Sequence, residues 1–509
     1  MGDLTEATAV SGLIHDTGTV EMPDTSAWTD DDVSASGVKV RDVPFVSVGG
    51  GLASFAVVDM LRVCGTPAGA IGVVTPQREP YDTLRYLLRT SQIQDDDPLR
   101  SDSMSRIGNV WGFPSYAVER AIRRRTVRPL LRVLCEPVAA EFFNPTATEV
   151  FADIDREAAR IGWDEMLVPG RAVCLKRRVG GGYFVLVQPL NKTHQELIRA
   201  EHVHLGTGYS AIGYPPEVSE YRLRHREFVR VVNGYEPHEH VYEVLIRKGG
   251  TVIVRGGGIT ASRVLQRLID DRAKSGHTVR ILHLFRSYTG QPKGSWRFRR
   301  PGGDGWRFQA FNFPKAAGAG QLRRPLLKMS EADRAAFLTR IGGATTPRRT
   351  SWQRQLREVR KAGFYQALSG EATRIEPAAD DRVRVVLDGN AALEADFIID
   401  CTGLRAAPVE SPLLGGLLSA SPGASLSGLG GLSVGQHFEV TGMDSGQGRV
   451  YASGIIARGG YLGPVDSLWG FSHSAMLIAD DLAHHGFCKR LGIARSAVAW
   501  LKWMMRKTP

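Results

Sequence analysis

The chain has 509 residues, which at roughly 150 residues per domain suggests about two to four domains. Hydrophobic residues make up 43% of it and charged residues 23%, a composition that excludes a wholly disordered chain, a fibrous protein and a coiled coil. The formal net charge of +11 favours anionic partners, but nucleic acid, an acidic membrane and a phosphorylated cofactor all fit that description.

The N-terminal segment differs from the rest of the chain in charge. Residues 1–40 hold eight acidic side chains, one basic side chain and few large apolar residues. Such a composition buries too little apolar surface to offset the entropy lost on ordering. We therefore predict that residues 1–42 form a flexible acidic segment and that the folded body begins after them.

The cysteines are few and far apart in the sequence. None of the five belongs to a CxxC motif, so the spacing of a thioredoxin-like dithiol or a zinc ribbon is absent. They are Cys64, Cys135, Cys174, Cys401 and Cys488. Neither a signal sequence nor a run of about 18 apolar residues is recognisable. We expect a cytoplasmic protein with reduced thiols and no bound metal.

Two βαβ units are predicted from apolar runs interrupted by glycine triplets. In the first, the apolar run 43–48 is followed by the glycine turn 49–51, an amphipathic helix over 52–61 and a strand over 70–74. The same events recur downstream. A strand over 251–255, a turn at 256–258, a helix over 259–273 and a strand over 279–285 follow one another. Two such openings predict two dinucleotide-type domains.

Both turns have the pattern glycine-x-glycine-x-x-small residue. The first glycine permits the tight bend, the second lets the backbone approach a pyrophosphate, and the small residue lets the helix pack on the strand. The helix N-terminus then offers N–H groups and a partial positive charge to the phosphates. The predicted contacts are Gly49, Gly50, Gly51 and Ser54 in the first turn and Gly256, Gly258, Ala261 and Ser262 in the second. The alternative is a pair of tight turns that bind nothing.

The residue after the second strand of each unit indicates which dinucleotide is bound. Arg286 follows the strand 279–285, and an arginine at this point favours the 2′-phosphate of NADPH. A solvated arginine at a strand end is the alternative. In the first unit no acid stands at the strand end itself, and whether Glu79 reaches a ribose hydroxyl stays open.

The order of motifs resembles that of the class B flavin monooxygenases. This group of two-dinucleotide flavoproteins includes flavin-containing, Baeyer–Villiger and N-hydroxylating monooxygenases. Residues 205–209, Leu-Gly-Thr-Gly-Tyr, resemble the first crossover of the family, and residues 397–403 resemble the second. The strand 449–454 would return the chain to the flavin. The resemblance covers about residues 43–485.

A short fingerprint just before the second glycine turn adds to the resemblance. Residues 232–242 are similar to the class B pattern FxGxxxHxxxY, with Gly234, His238 and Tyr242 at matching positions and Val232 in place of the phenylalanine. The resemblance implies that His238 helps to position NADPH and the linker between the domains. A loop histidine beside a surface turn is the alternative.

The resemblance implies an α/β fold with two Rossmann-like, three-layer domains, the NADPH-binding domain being inserted in a split FAD-binding domain. Gly208, Gly454 and Trp111 would belong to the FAD site, although Trp111 fits an ordinary core position equally well. The expected segments are the acidic segment 1–42, FAD domain 43–245, NADPH domain 246–404 with a basic insert at 293–361, FAD domain 405–485 and a basic tail 486–509.

The implied activity is that of an NADPH-dependent FAD monooxygenase. It would form a C4a-(hydro)peroxyflavin and oxygenate a small molecule with O2, and we slightly favour N-hydroxylation of an amine or amino acid. Gly454 is followed by Ile455 where many related reductases carry an aspartate, and some N-hydroxylases also lack that acid. The alternatives are a flavin-dependent NAD(P)H reductase without oxygenation, Baeyer–Villiger oxidation of a ketone, and a non-catalytic dinucleotide-binding protein.

Two basic segments leave the question of partners open. The insert 293–361 holds 17 Lys or Arg against four acids, interleaved with aromatics, but its place in the NADPH domain favours a phosphate or substrate over nucleic acid. The tail 486–509 has apolar residues at helical spacing among bases. It could contact an anionic membrane, the body of the protein or a partner, and homo-oligomerisation is equally open.

Overall fold

The structure, a computed structural model, describes residues 20–99, 101–139, 143–276, 278–286, 302–303, 306–307, 323–341 and 350–509. These residues form two α/β units, each built on its own sheet, so the predicted fold class is confirmed. In the described ranges, no helix is both long enough and apolar enough to cross a bilayer.

The elements alternate between strands and helices through most of the chain. The strands are β1 Ala27–Trp28, β2 Lys39–Asp42, β3 Phe45–Val48, β4 Ile71–Thr75, β5 Leu167–Arg178, β6 Tyr183–Pro189, β7 Glu196–Ala200, β8 His202–Leu205, β9 Ala211–Ile212, β10 Val231–Asn233, β11 Gly250–Arg255, β12 Val279–Phe285, β13 Gly302–Gly303, β14 Trp306–Arg307, β15 Tyr365–Ser369, β16 Ala372–Pro377, β17 Val383–Leu387, β18 Ala392–Ala395, β19 Phe397–Asp400, β20 Leu404–Arg405 and β21 Val450–Ala452. The helices are α1 Asp30–Ala35, α2 Leu52–Val63, α3 Asp82–Thr90, α4 Ser115–Arg123, α5 Arg128–Ala139, α6 Ala147–Ile161, α7 Trp163–Met166, α8 Pro216–His225, α9 Glu239–Lys248, α10 Ile259–Ser275, α11 Arg323–Leu326, α12 Glu331–Ile341, α13 Thr350–Lys361, α14 Pro412–Ala420, α15 Leu468–His484 and α16 Ile493–Met504.

The first unit is a nine-stranded sheet in the order β2-β7-β6-β5-β4-β3-β8-β21, with β1 added beside β5. Strands β4, β3, β8 and β21 run parallel, whereas β6 is antiparallel to both β5 and β7. Every residue of β3, β4 and β8 is buried, as expected for parallel strands covered on both faces. Helix α2, which begins after the first glycine turn, packs against α15.

The prediction of a flexible acidic segment over 1–42 is wrong for residues 27–42. Trp28 and Val33 are buried in a small apolar cluster beneath β6 and β7. Asp30 forms ion pairs with Arg178 and Arg199 of the sheet. Asp30, one of the acids that suggested a solvated segment, is therefore paired with bases of the body. Residues 1–19 lie outside the described residues.

The second unit is a five-stranded parallel sheet in the order β10-β19-β11-β12-β15. Val252 and Val254 of β11 belong to one apolar cluster, which includes α10, and Ile253 belongs to another, which includes α8 and the antiparallel strands β16 and β17. Alternate residues of the same strand thus pack on opposite faces. This places the sheet between two covering layers.

The second unit begins earlier in the chain than the predicted boundary at residue 246. Strand β10 pairs with β19, and α9 packs in the same cluster as α10, because Val232, Val241 and Tyr242 are buried there. The chain leaves the first unit through β9 and returns through β20. These two short strands pair with each other, so both crossings lie side by side.

The two basic segments differ in how far the structure describes them. Of the insert 293–361, the described parts are β13, β14, residues 323–341 and α13, and the remainder lies outside the described residues. The C-terminal segment 486–509 is not a loose tail, because α16 packs on the body through Trp503. The Trp503 ring lies 5.4 Å from that of Trp111 and beneath the Arg106 guanidinium at 4.8 Å.

Candidate dinucleotide-binding sites

The first glycine turn is held rigidly on one side and is open on the other. Gly49 has φ +100°, and a Cβ atom there would lie 2.5 Å from the carbonyl oxygen of Gly206, so glycine is required. A Cβ atom added at Gly50 would clash with the side chain of Thr75. At Gly51 no described atom lies within 4 Å of a Cβ position, and Gly51 is the N-cap of α2. The unobstructed helix N-terminus is a suitable site for a pyrophosphate.

The ends of other segments meet this turn. Gly206 follows β8, and a Cβ atom added there would clash with the buried hydroxyl of Ser54 at the third position of the motif. Gly454, which follows β21, lies against α2, since its Cβ would be 3.3 Å from Cβ of Ala53. The same position is 3.6 Å from the ring of Phe471 on α15. Strand ends β3, β8 and β21 and the first turn of α15 therefore surround one point, the location expected for a dinucleotide in such folds.

A buried histidine that sequence reasoning missed ties these strand ends together. His204 of β8 has Nδ1 2.9 Å from the hydroxyl of Ser47 on β3 and Nε2 2.8 Å from the hydroxyl of Ser453 after β21. Burial lowers the pKa of His204 to about 3, so the ring is neutral near pH 7. In the sequence, the only sign of this arrangement was that three polar residues, Ser47, His204 and Ser453, stand within or beside apolar strands.

The second glycine turn repeats the arrangement of the first. Gly256 has φ +127°, and its Cβ would lie 2.8 Å from the carbonyl oxygen of Cys401. At Gly258 the space around a Cβ position is free of described atoms to 4 Å, and this residue is the N-cap of α10. Ala261 and Ser262 are fully buried, which lets α10 approach the sheet closely.

A second buried histidine supports the second turn. His283 of β12 has Nε2 2.6 Å from the carbonyl oxygen of Gly256 and Nδ1 2.8 Å from the hydroxyl of Tyr365. Because a carbonyl can only accept, Nε2 carries the proton and Nδ1 accepts from the tyrosine. Burial lowers the pKa of His283 to about 3, which keeps this neutral tautomer in place.

The fingerprint residues lie against the second turn, and their side chains are engaged within the protein. A Cβ at Gly234 would lie 2.9 Å from Cγ2 of Thr260 in the first turn of α10. His238 donates from Nδ1 to the carbonyl oxygen of Glu236 at 2.7 Å and accepts at Nε2 from the hydroxyl of Tyr242 at 2.9 Å. Burial lowers the pKa of His238. With both ring nitrogens occupied, His238 can position the linker without touching a ligand.

The remaining predicted residues have different surroundings. Arg286 is exposed and directly follows β12, the neighbour of β11 that leads into the second turn. Gly208 follows β8, and no described atom obstructs its Cβ position within 4 Å. Partial burial, followed by the nearby Asp155, raises the pKa of Glu79. Its contact with a ribose stays a prediction, as do the cofactor contacts of the other residues.

Trp111 lies against the C-terminal helix. Its indole N–H donates to the hydroxyl of Ser496 on α16 at 2.9 Å, and its ring packs on Trp503. Sequence reasoning placed it in the flavin site or in the core with equal weight. Because the indole N–H already has a partner and the ring is covered by α16, the packing interpretation is the better supported one.

The two units touch through α10 and the loop after α3. Arg263 pairs with Asp97 at 2.9 Å, and Arg267 donates to the side-chain oxygen of Gln92 at 3.1 Å. The N-terminal half of α10, which begins at the second glycine turn, is thereby fixed to the first unit. Within the parts of the chain that the structure describes, no group of three His, Cys, Asp or Glu residues is arranged to hold a metal ion.

Among the described residues, one arginine at the junction of the units has no anionic partner. The Nε of Arg323 on α11 is buried without a hydrogen-bond partner among the described residues, and burial lowers the pKa of this guanidinium. His473 of α15 also has a buried ring nitrogen, Nε2, without a described partner. Its ring stacks on Trp469 at 5.0 Å, and burial, followed by the charge of Arg323, lowers its pKa to about 4. An unpaired cation beside an unsatisfied imidazole is suited to receive an anion.

Solved structures of flavin-dependent N-hydroxylating enzymes have the same fold. The cadaverine monooxygenase of Erwinia amylovora is 13% identical with a TM-score of 0.64, and the match covers 89% of this chain and 98% of that one. The ornithine N-hydroxylase of Kutzneria sp. 744 is 14% identical with a TM-score of 0.63, covering 88% and 100%. The ornithine hydroxylase of Pseudomonas aeruginosa is 13% identical with a TM-score of 0.62, covering 87% and 100%. No protein-family model and no curated protein matches the chain. What the likeness shows is the fold, which this chain shares with these enzymes.

Proposed function

We propose that this protein is an FAD- and NADPH-dependent monooxygenase that N-hydroxylates a small amine or amino acid. The observation that carries the proposal is the pair of glycine turns, each fixed by its first glycine and open at its third, with the fingerprint residues built against the second. The open Cβ positions at Gly51 and Gly258 fit two phosphate-bearing cofactors. The Erwinia enzyme is bound to FAD, and the Kutzneria enzyme to reduced FAD, NADP⁺ and L-ornithine.

In this proposal the first turn holds FAD. The backbone of residues 49–51 and the N-terminus of α2 receive the pyrophosphate, Gly208 leaves room for the remainder of the cofactor, and Gly454 brings the end of β21 close to it. When bound, FAD supplies the redox and oxygen chemistry that side chains lack. The protein's own contribution is to orient the ring and exclude water. Phe471 and the N-terminus of α15 lie where they can do both.

The second turn holds NADPH in the same proposal. The N-terminus of α10 receives its pyrophosphate and Arg286 its 2′-phosphate. His238, linked to Tyr242 and to the backbone of Glu236, fixes the segment between β10 and α9 against the turn. The pairing of α10 with Gln92 and Asp97 links the turn that would hold NADPH to the first unit.

The polarity of the junction favours a substrate with an anionic group. Arg323 belongs to the basic insert and His473 to α15, and Arg323 lies close enough to lower the pKa of His473. Helix α15 also carries Phe471, which lies beside Gly454. We infer that this pair receives the carboxylate of an amino acid. An amino acid would therefore be preferred to a plain diamine such as cadaverine.

The test is turnover by the purified protein. We expect a yellow protein that oxidises NADPH, takes up O2 faster with ornithine or lysine, and releases a product 16 mass units heavier. Gly51→Asp should abolish flavin binding by repelling the pyrophosphate, whereas Gly69→Asp, at an exposed and unobstructed glycine elsewhere on the same unit, should not. A colourless protein that never accepts FAD would contradict the proposal.

The same assays separate the alternatives. Stoichiometric peroxide with no oxygenated amine identifies a reductase or oxidase, and turnover of ketones alone identifies Baeyer–Villiger chemistry. Tight binding of NADP⁺ without turnover identifies a non-catalytic protein. A cytoplasmic location and homo-oligomerisation stay proposals, as does contact of α16 with an anionic membrane. That last proposal is supported by exposed Ile493, Val498 and Leu501.

A further inference from the structure

Two cysteines from distant parts of the sequence meet behind the first glycine turn. Cys64 ends helix α2, and Cys488 follows α15, the helix that packs on α2. The backbone N–H of Lys489 donates to the carbonyl oxygen of Cys64 at 3.0 Å, so the two chain segments run side by side. Each thiol shifts the pKa of the other, because the two side chains are neighbours, and the Cys488 thiol itself donates to the carbonyl oxygen of Ala479 at 3.5 Å. Two neighbouring cysteines on backbone segments that are joined by a hydrogen bond are candidates for a disulfide.

The two thiols are not equivalent. Cys64 is 5% exposed, whereas Cys488 is partly exposed. The neighbouring Cys64 lowers the pKa of Cys488, whereas the neighbouring Cys488, together with burial, raises the pKa of Cys64. The thiolate is the form that reacts with oxidants. Cys488 is therefore suited to react first, and Cys64 is placed to attack the product.

We propose that Cys64 and Cys488 form a peroxide-responsive dithiol that closes to an intramolecular disulfide. The Cys488 thiolate attacks hydrogen peroxide and becomes a sulfenic acid as the O–O bond breaks, which releases hydroxide. The sulfur of Cys64 then forms the S–S bond, the S–O bond breaks, and water leaves with the thiol proton. The two sulfurs lose two electrons in all, and one peroxide is reduced to two waters.

The bond would join the two helices that form the back of the first dinucleotide site. Helix α2 carries the glycine turn at its N-terminus, and α15 carries Phe471 beside Gly454. Beyond Cys488 the chain continues into α16, which covers Trp111. A cross-link across this contact removes freedom from the unfolded chain and is expected to raise thermal stability reversibly. The proposal requires only a hydroperoxide and does not depend on the proposed monooxygenase activity.

The test oxidises the full-length protein with one equivalent of hydrogen peroxide and maps its peptides without reduction. We expect a peptide pair joined through Cys64 and Cys488, a loss of two of the five thiols titrated in denaturant, and a rise in melting temperature that dithiothreitol reverses. Cys488→Ser should abolish the rise, whereas Cys174→Ser, the matched control at another partly buried cysteine, should retain it.

Two outcomes overturn the proposal. The first is Cys488 accumulating as sulfinic acid while Cys64 stays reduced. The second is a disulfide that joins other cysteines, such as the exposed Cys135 of two copies. Because the peptide map needs only the unmodified protein, poor folding of a serine variant leaves the test intact. Flavin content and NADPH oxidation, measured on the same samples, report separately on the proposed function.

Discussion

His283 donates a hydrogen bond from Nε2 to the carbonyl oxygen of Gly256, the first glycine of the second turn, over 2.6 Å. The turn therefore rests on a side chain from the neighbouring strand as well as on its own backbone. Gly256 has φ +127° and lies against the carbonyl of Cys401. A residue held at positive φ between two fixed neighbours has little freedom to relax, so the direction of the following N–H groups depends on His283.

Replacing His283 with leucine should weaken NADPH binding selectively. The variant removes the donor to Gly256 and leaves a carbonyl without its partner, which costs about 1–3 kcal/mol when buried. We expect the Kd for NADPH to rise about tenfold, equivalent to about 1.4 kcal/mol, while flavin content stays the same. Isothermal titration measures the Kd for NADPH, and flavin absorbance measures the flavin content. The variant His225→Leu, on the exposed end of α8, is the control. Equal loss of both cofactors would show that the histidine supports the whole fold instead.

Two alanine substitutions in the second turn should have different effects, one on NADPH binding and the other on the stability of the fold. Gly258 has an ordinary backbone and no described atom within 4 Å of a Cβ position, so Gly258→Ala should fold normally but obstruct the approach of the pyrophosphate. Gly256→Ala forces a Cβ to 2.8 Å from the Cys401 oxygen at positive φ. It should destabilise the protein by about 1–3 kcal/mol. Melting temperature and NADPH affinity, measured on each variant, separate the effects. Undiminished NADPH binding by Gly258→Ala would contradict the site.

Arg286 should distinguish the two nicotinamide cofactors. It is exposed directly after β12, where a guanidinium can pair with the 2′-phosphate of NADPH, a group that NADH lacks. We expect Arg286→Ala to lower kcat/KM for NADPH at least tenfold and to leave that for NADH nearly unchanged. Arg280→Ala, on the preceding strand, is the control. Equal losses with both cofactors would remove Arg286 from the site.

Local patterns predicted both βαβ units to within a few residues, because glycine spacing and apolar runs are properties of contiguous sequence. Long-range pairing was not predictable in the same way. Residues 27–42 look solvated in isolation, and only Arg178 and Arg199, far along the chain, give the carboxylate of Asp30 a partner. The second unit starts before residue 246 because β10 pairs with β19, and the paired residues are 167 positions apart in the chain, as for Val231 and Ile398.

The buried histidines that hold the candidate sites in place could not be recognised from the sequence either. His204 and His283 stand in apolar strands, and their partners come from different strands. A lone histidine in such a run is usually a satisfied core residue, so the pattern carries no functional signal. For Trp111 the sequence left a pocket position and a core position equally open, and only its contacts with α16, a helix far along the chain, favour packing.

Arg323 should matter for substrates that carry a carboxylate. It is partly buried, unpaired at Nε among the described residues, and close enough to His473 to lower the pKa of that imidazole. We expect Arg323→Ala to raise KM for ornithine or lysine about tenfold with little change in kcat, and to leave KM for cadaverine unchanged. Arg324→Ala, at the exposed neighbouring position, is the control. A rise in KM for NADPH instead would assign Arg323 to the cofactor.

The neutrality of His204 should make stability depend on pH. Its pKa is about 3 in the folded protein against an ordinary value near 6.5, so between these values the unfolded state binds more protons. The stability it contributes is complete above about pH 6.5 and decreases as the pH falls towards 3, with a slope of at most about 1.4 kcal/mol per pH unit.

Asp153 and Asp400, whose pKa values are raised by burial to about 7 and about 6, act in the opposite direction. These carboxyls are common to wild type and His204→Asn, so they cancel when the two proteins are compared. Urea midpoints measured from pH 7 to pH 4.5 should fall more steeply for wild type than for His204→Asn, and parallel curves would mean that His204 does not titrate on unfolding.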